Sequence, residues 1–153
     1  MIDMKKIINF DMDGTLADFY GVPNWLEKIR AFDASPYVEA KPLVNMSVLA
    51  RRLNNLQKKG YVLRILTWGS KESNEQFDYD TFQAKKYWLR KHLPSVHWDE
   101  IVFSVYGVRK SILGKGAYAG KGILFDDNEK VRNSWTGTAY TETEILPVLK
   151  TLG

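Results

Sequence analysis

Four aspartates in two short motifs are the side chains in this sequence whose types and spacing best suit chemistry. Asp11 and Asp13 are followed by Gly14, and the adjacent pair Asp126 and Asp127 lies far along the chain. Carboxylates gathered without histidine or cysteine suit a hard cation, and Mg²⁺ takes few protein carboxylates together with substrate phosphate. The cation also relieves the carboxylate repulsion that would otherwise raise one of the pKa values. The pattern therefore indicates metal-assisted attack on an anionic phosphate.

The elements that must position these motifs are typical of an α/β fold. Strand-like apolar runs alternate with segments of helical period, which predicts a mostly parallel sheet. Strands are predicted at residues 5–10, 61–66, 101–105, 123–125 and 138–140, and helices at 25–30, 45–59, 79–92, 129–135 and 144–152. Residues 35–42 are predicted to be irregular, and residues 114–122 to form a glycine-rich loop. Ligands of open α/β sheets bind at the carboxyl ends of the strands, where we expect the polar motifs to meet.

The order of the motifs resembles that of the haloacid dehalogenase superfamily of phosphatases. The motifs that carry the resemblance are Asp11-x-Asp13-Gly14-Thr15 after the first strand, Thr67 after the second, Lys110 within residues 107–111, and Asp126-Asp127 after the fourth. They follow the order of that superfamily and span residues 7–127. For the lysine of the third motif, Arg109 and Lys115 are alternatives to Lys110.

The resemblance implies a role for each matched residue in phosphoryl transfer. Asp11 would attack phosphorus and form an aspartyl-phosphate. Asp13 would protonate the leaving oxygen and then accept a proton from the attacking water. Thr67 and Lys110 would hold the phosphate oxygens, and Lys110 would also balance charge near Asp11. Gly14 permits a tight turn, and its N–H is predicted to face a phosphate oxygen.

The same resemblance implies a magnesium site. Mg²⁺ would bind Asp11, the backbone carbonyl of Asp13, and Asp126. Asp127 would support the ion directly or through water. An EF-hand is a poor alternative, because Gly14 is the fourth residue from Asp11 rather than the sixth. The loop at residues 114–122 lacks the phosphate-binding pattern G-x-x-x-x-G-K-[ST].

The layout of the chain suggests a class of substrate. It is similar to the 3′-phosphatase domain of polynucleotide kinase, to 5′(3′)-deoxyribonucleotidases and to small phosphatase-like proteins of bacteriophages, which implies a nucleotide or a nucleic-acid terminal phosphate. The segment between Asp18 and Lys41 is short, which predicts a minimal cap on a single three-layer α/β domain covering residues 1–153. A minimal cap leaves the site open to a large substrate, or to a partner that completes the pocket. Alternatives are another phosphorylated metabolite, a phosphoprotein, or a non-catalytic binding protein on the same fold.

Composition restricts the remaining possibilities. The net charge of +4 favours anionic partners. The absence of cysteine excludes a disulfide framework, a thiol nucleophile and a cysteine zinc site. No apolar run reaches the roughly 20 residues of a membrane helix, and the first residues do not form a signal peptide. We therefore expect no membrane partner and a cytoplasmic location.

Two groups of side chains outside the motifs also bear on function. Trp68 directly follows Thr67, so that its ring is a candidate for stacking on a base. Pairs of basic residues recur in the helices, among them Lys85-Lys86. We interpret these pairs as solvated helix faces.

Overall fold

A computed structural model describes residues 6–153 as a parallel sheet flanked by helices. The strands are β1 (Ile7–Phe10), β2 (Ala17–Asp18), β3 (Lys41–Pro42), β4 (Val62–Trp68), β5 (Glu100–Ser104), β6 (Ile123–Phe125) and β7 (Thr138–Tyr140). The helices are α1 (Trp25–Arg30), α2 (Ser35–Glu39), α3 (Met46–Lys58), α4 (Glu75–His92), α5 (Glu129–Ser134) and α6 (Ile145–Leu152). Short 3₁₀ turns occupy Phe19–Gly21, Lys110–Ile112 and Glu142–Glu144.

The five main strands follow the order β5-β4-β1-β6-β7, and every neighbouring pair is parallel. Strand β1 lies at the centre, where Ile8 pairs with Leu63 of β4 on one side and with Ile123 of β6 on the other. Two-residue strands β2 and β3 form a separate antiparallel pair. This arrangement confirms the predicted α/β fold with a mostly parallel sheet.

Both faces of the sheet are covered, which gives three layers. On one face, Phe10 and Ile65 pack with buried side chains of α3, α4 and α6, including Leu53 and Trp88. On the other face, the side chains of Leu66, Leu113, Leu124, Val131 and Trp135 form a smaller cluster beneath α5. Because successive side chains of a strand point to opposite faces, strands buried on both sides are apolar throughout, as β1 is apart from Asn9.

Most predicted elements are confirmed to within a few residues, and two differ. The prediction of irregular chain at residues 35–42 is wrong, because α2 forms there with Pro36 in its first turn, where proline costs no hydrogen bond. Helix α4 begins at Glu75, four residues before the predicted start, because Asn74 caps it by accepting the N–H of Phe77 at 2.8 Å. Residue 5 of the predicted first strand lies outside the described residues.

A buried arginine fastens the loop that follows β5. Arg64 of β4 is fully buried and forms an ion pair with Glu100 at 2.8 Å. Its guanidinium also donates to Asn9 Oδ1 at 2.7 Å and to the carbonyls of Leu113 and Tyr118 at 2.7 and 3.2 Å. The side chain therefore ties the residues after the Lys110–Ile112 turn to the centre of the sheet.

We expect Arg64→Met to lower the free energy of unfolding by about 3–5 kcal/mol, because it leaves the partners of a buried ion pair without their cation. Urea denaturation monitored by circular dichroism measures the change. Arg51→Met on the exposed face of α3 is the matched control and should change stability by less than about 0.5 kcal/mol. Equal losses in the two variants would contradict the importance of the Arg64 network.

Within residues 6–153, no helix combines the length and the apolar character needed to cross a membrane.

Candidate active site

The carboxyl ends of the central strands bring the two aspartate motifs together, as the sequence predicts. Asp11 directly follows β1 and Asp126 directly follows β6. The N–H of Asp11 donates to the carbonyl of Phe125 at 3.0 Å, which continues the pairing of these strands into the site. Asp11 and Asp126 are both buried.

The loop after Asp11 turns tightly around one carbonyl. Met12 O accepts N–H groups from Thr15 at 3.1 Å and Ala17 at 3.0 Å. Gly14 has a φ of 79°, and an added Cβ would collide with the carboxylate of Asp127. The N–H of Gly14 donates to Ala17 O at 2.8 Å. The loop itself uses this donor, and the contact of the Gly14 N–H with a phosphate oxygen stays a prediction.

Lys110 is the cation between the two motifs. Its side chain is buried, and its Nζ donates to Asp11 Oδ1 at 2.9 Å and to Asp126 Oδ2 at 2.7 Å. The alternatives from the sequence lie elsewhere: Arg109 donates to the carbonyl of Ser134, and the backbone N–H of Lys115 donates to Glu100. Of the three cationic candidates, Lys110 is the one that contacts Asp11.

Thr15 connects the nucleophile candidate to the second aspartate of the distant motif. Its buried hydroxyl donates to Asp11 Oδ2 at 2.9 Å and accepts the N–H of Asp127 at 3.1 Å. One carboxylate oxygen each from Asp11, Asp126 and Asp127 lies within 4.8 Å of the others. These three side chains are grouped closely enough to hold a metal ion.

The donor set fits a hard divalent cation. All three side chains offer carboxylate oxygens, which Mg²⁺ prefers over nitrogen and sulfur ligands. Lys110 supplies one positive charge against these carboxylates, so a divalent cation would relieve the remaining repulsion. The carboxylate of Asp13 lies outside this group, which leaves its backbone carbonyl as the ligand implied by the resemblance.

Asp13 and Thr67 share a partner that the sequence analysis assigned to a solvated face. Lys85 of α4 is only 1% exposed. Its Nζ donates to Asp13 Oδ2 at 3.0 Å, to Thr67 Oγ1 and to the carbonyl of Trp68 at 2.7 Å. The interpretation of Lys85 as a solvated residue is therefore wrong, and this side chain joins the predicted acid to the predicted phosphate ligand.

The ring of Trp68 packs beside the other lysine of the site. Its indole N–H donates to Val108 O at 2.8 Å, and Lys110 Nζ lies 5.1 Å from the ring centroid. Tyr106 meets the same ring edge-on at 5.2 Å. The ring of Trp68 therefore packs against the ammonium group of Lys110. Its stacking on a base stays a prediction.

The electrostatics separate the roles of the first two aspartates. Burial alone would raise the pKa of Asp11, but the charge of Lys110 and hydrogen bonds from its neighbours outweigh burial and hold the pKa below its usual range. Burial dominates at Asp13, and its pKa is raised despite the opposing charge of Lys85. Asp11 is therefore kept ionised, as a nucleophile requires, while Asp13 is the better proton donor.

The folded protein destabilises the ionised forms of Asp126 and Asp127, the two aspartates of the second motif. Burial, together with repulsion from Asp11, raises the pKa of Asp126 to about 6 and that of Asp127 to about 8. A cation at this group would therefore displace protons on binding, so that affinity should increase with pH.

We expect the metal-free protein to lose stability as pH rises from 6.5 to 8.5. Aspartates of the unfolded chain titrate near pH 3.9, so the folded protein, with the pKa of Asp127 at about 8, binds more protons in this window. Stability falls wherever the folded state binds more protons. Thermal denaturation in a chelator measures the fall in Tm, and Mg²⁺ should raise Tm more at pH 8.5 than at pH 6.5.

The variant Asp127→Asn is the matched control for this pH dependence. It should show a flatter Tm profile in chelator and a smaller response to Mg²⁺, because the group that titrates in the window is gone. A metal-free Tm that rises with pH over the same window would contradict the assignment.

No protein-family model matches the sequence, and no curated protein matches it significantly.

Proposed function

We propose that this protein is a Mg²⁺-dependent phosphomonoesterase of the haloacid dehalogenase superfamily that acts on a nucleotide or a nucleic-acid terminal phosphate. The observation that carries the proposal is the meeting of Asp11, Lys110 and Asp126 at the carboxyl edge of the sheet, with contacts of 2.7–2.9 Å. A lone acidic motif has many uses, whereas an ionised aspartate paired with a buried lysine beside two further carboxylates is suited to phosphoryl transfer.

Asp11 would act as the nucleophile. Its lowered pKa keeps the carboxylate ionised at neutral pH, and Thr15 and Lys110 hold its two oxygens in fixed directions. In the first step a bond forms between an Asp11 oxygen and phosphorus while the bond to the leaving oxygen breaks. Lys110 would balance the charge that the phosphoryl group brings to Asp11.

Asp13 would handle the protons of both steps. Its raised pKa favours the protonated form that the departing alkoxide needs. The Asp13 carboxylate formed in this way then accepts a proton from water, which attacks phosphorus and breaks the bond to Asp11. Lys85, 3.0 Å from Asp13 Oδ2, would hold the carboxyl group in place through the cycle.

Mg²⁺ bound by Asp11, Asp126 and Asp127 would supply the charge neutralisation that lets an anionic nucleophile approach an anionic phosphate. Asp126 and Asp127 would contribute as ligands of the ion. The N–H of Asn128 donates to Asp126 Oδ1 at 2.9 Å and helps to orient this carboxylate.

Phosphate release from a panel of substrates tests the proposal. The panel contains 5′- and 3′-deoxynucleoside monophosphates, a 3′-phosphorylated oligonucleotide and a generic aryl phosphate, each with and without Mg²⁺. We expect Mg²⁺-dependent release, fastest with one of the nucleotide substrates, and a phosphoryl group on the peptide that contains Asp11 after acid quenching. No release from any substrate by protein that binds Mg²⁺ would contradict the proposal.

A further inference from the structure

A second, larger cavity opens beside the candidate active site. The carboxylate-lined cavity, which contains Asp11 and Lys110, has a volume of about 140 Å³. Its neighbour has a volume of about 400 Å³. Four residues line both: Asp13, Tyr20, Gly69 and Tyr106. Sites for small organic ligands usually occupy roughly 300–1,000 Å³. Of these two cavities, the larger, here called the aromatic cleft, is therefore the one with room for more than a phosphate group.

Aromatic rings form one wall of the aromatic cleft. Phe19 stacks on Tyr37 with ring centroids 4.6 Å apart, and Trp25 meets Tyr20 edge-on at 5.1 Å. This packed group fixes the rings of the wall. The segment that carries them is the short insertion before Lys41, which builds the side of a cleft.

Two tyrosines leave much of their surface free at the junction of the cavities. Tyr20 is 54% exposed and Tyr106 is 51% exposed, although each packs against a tryptophan. They come from different parts of the chain, Tyr20 from the Phe19–Gly21 turn and Tyr106 from the loop after β5. Exposed aromatic faces beside a phosphate-sized cavity suit a planar group attached to that phosphate.

The rim of the aromatic cleft is cationic. Arg30 and Lys71 both line it and are exposed. Neither forms an ion pair with another residue of the described chain. Glu72 is the one acidic side chain of the rim besides Asp13, whose carboxylate is paired with Lys85. The free cations favour a ligand that carries further negative charge.

We infer that the aromatic cleft binds the nucleoside of the substrate, with its base stacked on Tyr20 and Tyr106 and its phosphate in the carboxylate-lined cavity. The inference rests on the proposed function, in which the nucleoside is the leaving group, and it places that group in the aromatic cleft. A free mononucleotide and the terminal nucleotide of a strand offer the same base, and an oligonucleotide would also meet Arg30 and Lys71 with its next phosphate.

Binding of 2′-deoxynucleosides to the wild-type protein, followed by NMR titration, tests this inference without hydrolysis. We expect saturable binding that Tyr20→Leu and Tyr106→Leu each weaken by about 5- to 150-fold, the loss that corresponds to one stacked base. Tyr20→Phe and Tyr106→Phe keep the ring and should retain binding. Tyr79→Leu, an exposed tyrosine of α4 outside the cleft, is the matched control and should bind as wild type does.

Hydrolysis distinguishes a failure of the inference from a failure of the proposed function. For a nucleoside monophosphate, the leucine variants should raise KM by a similar factor, and the increase in KM for ribose 5-phosphate, which has no base, should be at least about fivefold smaller. If the natural substrate is the end of a strand, an Arg30→Gln and Lys71→Gln double variant should weaken the binding of an oligonucleotide but not that of a mononucleotide. If the natural substrate is a free mononucleotide, the double variant should weaken the binding of neither. If the enzyme is active but Tyr20→Leu and Tyr106→Leu change the KM of both substrates equally, the cleft assignment is wrong. The absence of nucleoside binding to the wild-type protein would also overturn it.

Discussion

The variant Asp11→Asn is expected to reduce phosphate release by at least about 10⁴-fold, since losing a nucleophile removes the whole covalent route. Asparagine has the size of aspartate but no negative charge, so it neither attacks phosphorus nor attracts Lys110. Lys110 keeps its 2.7 Å contact with Asp126, and we therefore expect the variant to fold. Steady-state phosphate release with Mg²⁺ at saturating concentration measures the effect.

The control for Asp11→Asn is Asp33→Asn, at an exposed aspartate whose Oδ1 accepts the N–H of Ser35, the first residue of α2. Asparagine retains the acceptor for the Ser35 N–H, so activity should stay within about twofold of wild type. Circular dichroism verifies the fold of both variants. Equal rates for wild type and Asp11→Asn would show that another group attacks phosphorus.

The second large effect is expected for Lys85→Met. We expect kcat for a nucleoside monophosphate to fall by about 10²-fold, within the range that general acid catalysis contributes. The substitution removes the cation that holds Asp13 Oδ2 at 3.0 Å and leaves Thr67 Oγ1 without its donor. Methionine fills similar space, so that the loss of the charge is the main change.

The leaving group separates a positioning role of Lys85 from a structural one. An aryl phosphate has an acidic leaving group that departs without a proton, so misplacement of Asp13 should cost far less with this substrate. We therefore expect Lys85→Met to reduce alkyl phosphate hydrolysis at least about tenfold more than aryl phosphate hydrolysis. Equal losses on both substrates would indicate that Lys85 only stabilises the fold.

Lys86→Met provides the matched comparison for Lys85→Met, since it makes the same change one residue further along α4. Lys86 lies 4.6 Å from the ring of Phe82 and outside the site. Its loss should leave kcat within about twofold of wild type. Urea denaturation of both variants separates stability from catalysis, because breaking a buried pair is itself destabilising.

The meeting of the two aspartate motifs at one edge of the sheet could be predicted, because it depends on the sequence pattern alone. Asp11 and Asp126 each follow a short apolar run, and parallel strands present their carboxyl ends together. For the lysine, the sequence leaves Arg109 and Lys115 as alternatives to Lys110, because a lysine in a loop has no period to place it. The contact of Lys110 with Asp11 depends on how the loop folds. Arg64 and Glu100 help to fix that fold, because Arg64 donates to the carbonyl of Leu113 and Glu100 accepts the N–H of Lys115.

Lys85 was missed because adjacent lysines on a helix usually face solvent, yet the helical period carries a signal. Phe77, Thr81, Ala84 and Trp88 are buried positions of α4 at helical spacing, and Lys85 falls on the same stripe. A cation on a buried stripe requires a buried anion or acceptor. The hydrogen bond from the Gly14 N–H to Ala17 O has no comparable signal in the sequence, since it depends on the exact course of one loop.

The central position of β1 has a consequence for the time at which the site forms during synthesis. Lys110 follows Asp11 by 99 residues, so at roughly 5–20 residues per second the ribosome delivers it about 5–20 s later. Strand β1 pairs only with strands made later, β4 and β6. The nascent chain therefore carries its candidate nucleophile long before the lysine that lowers its pKa, and a ribosome-bound chain stopped before β6 should release no phosphate.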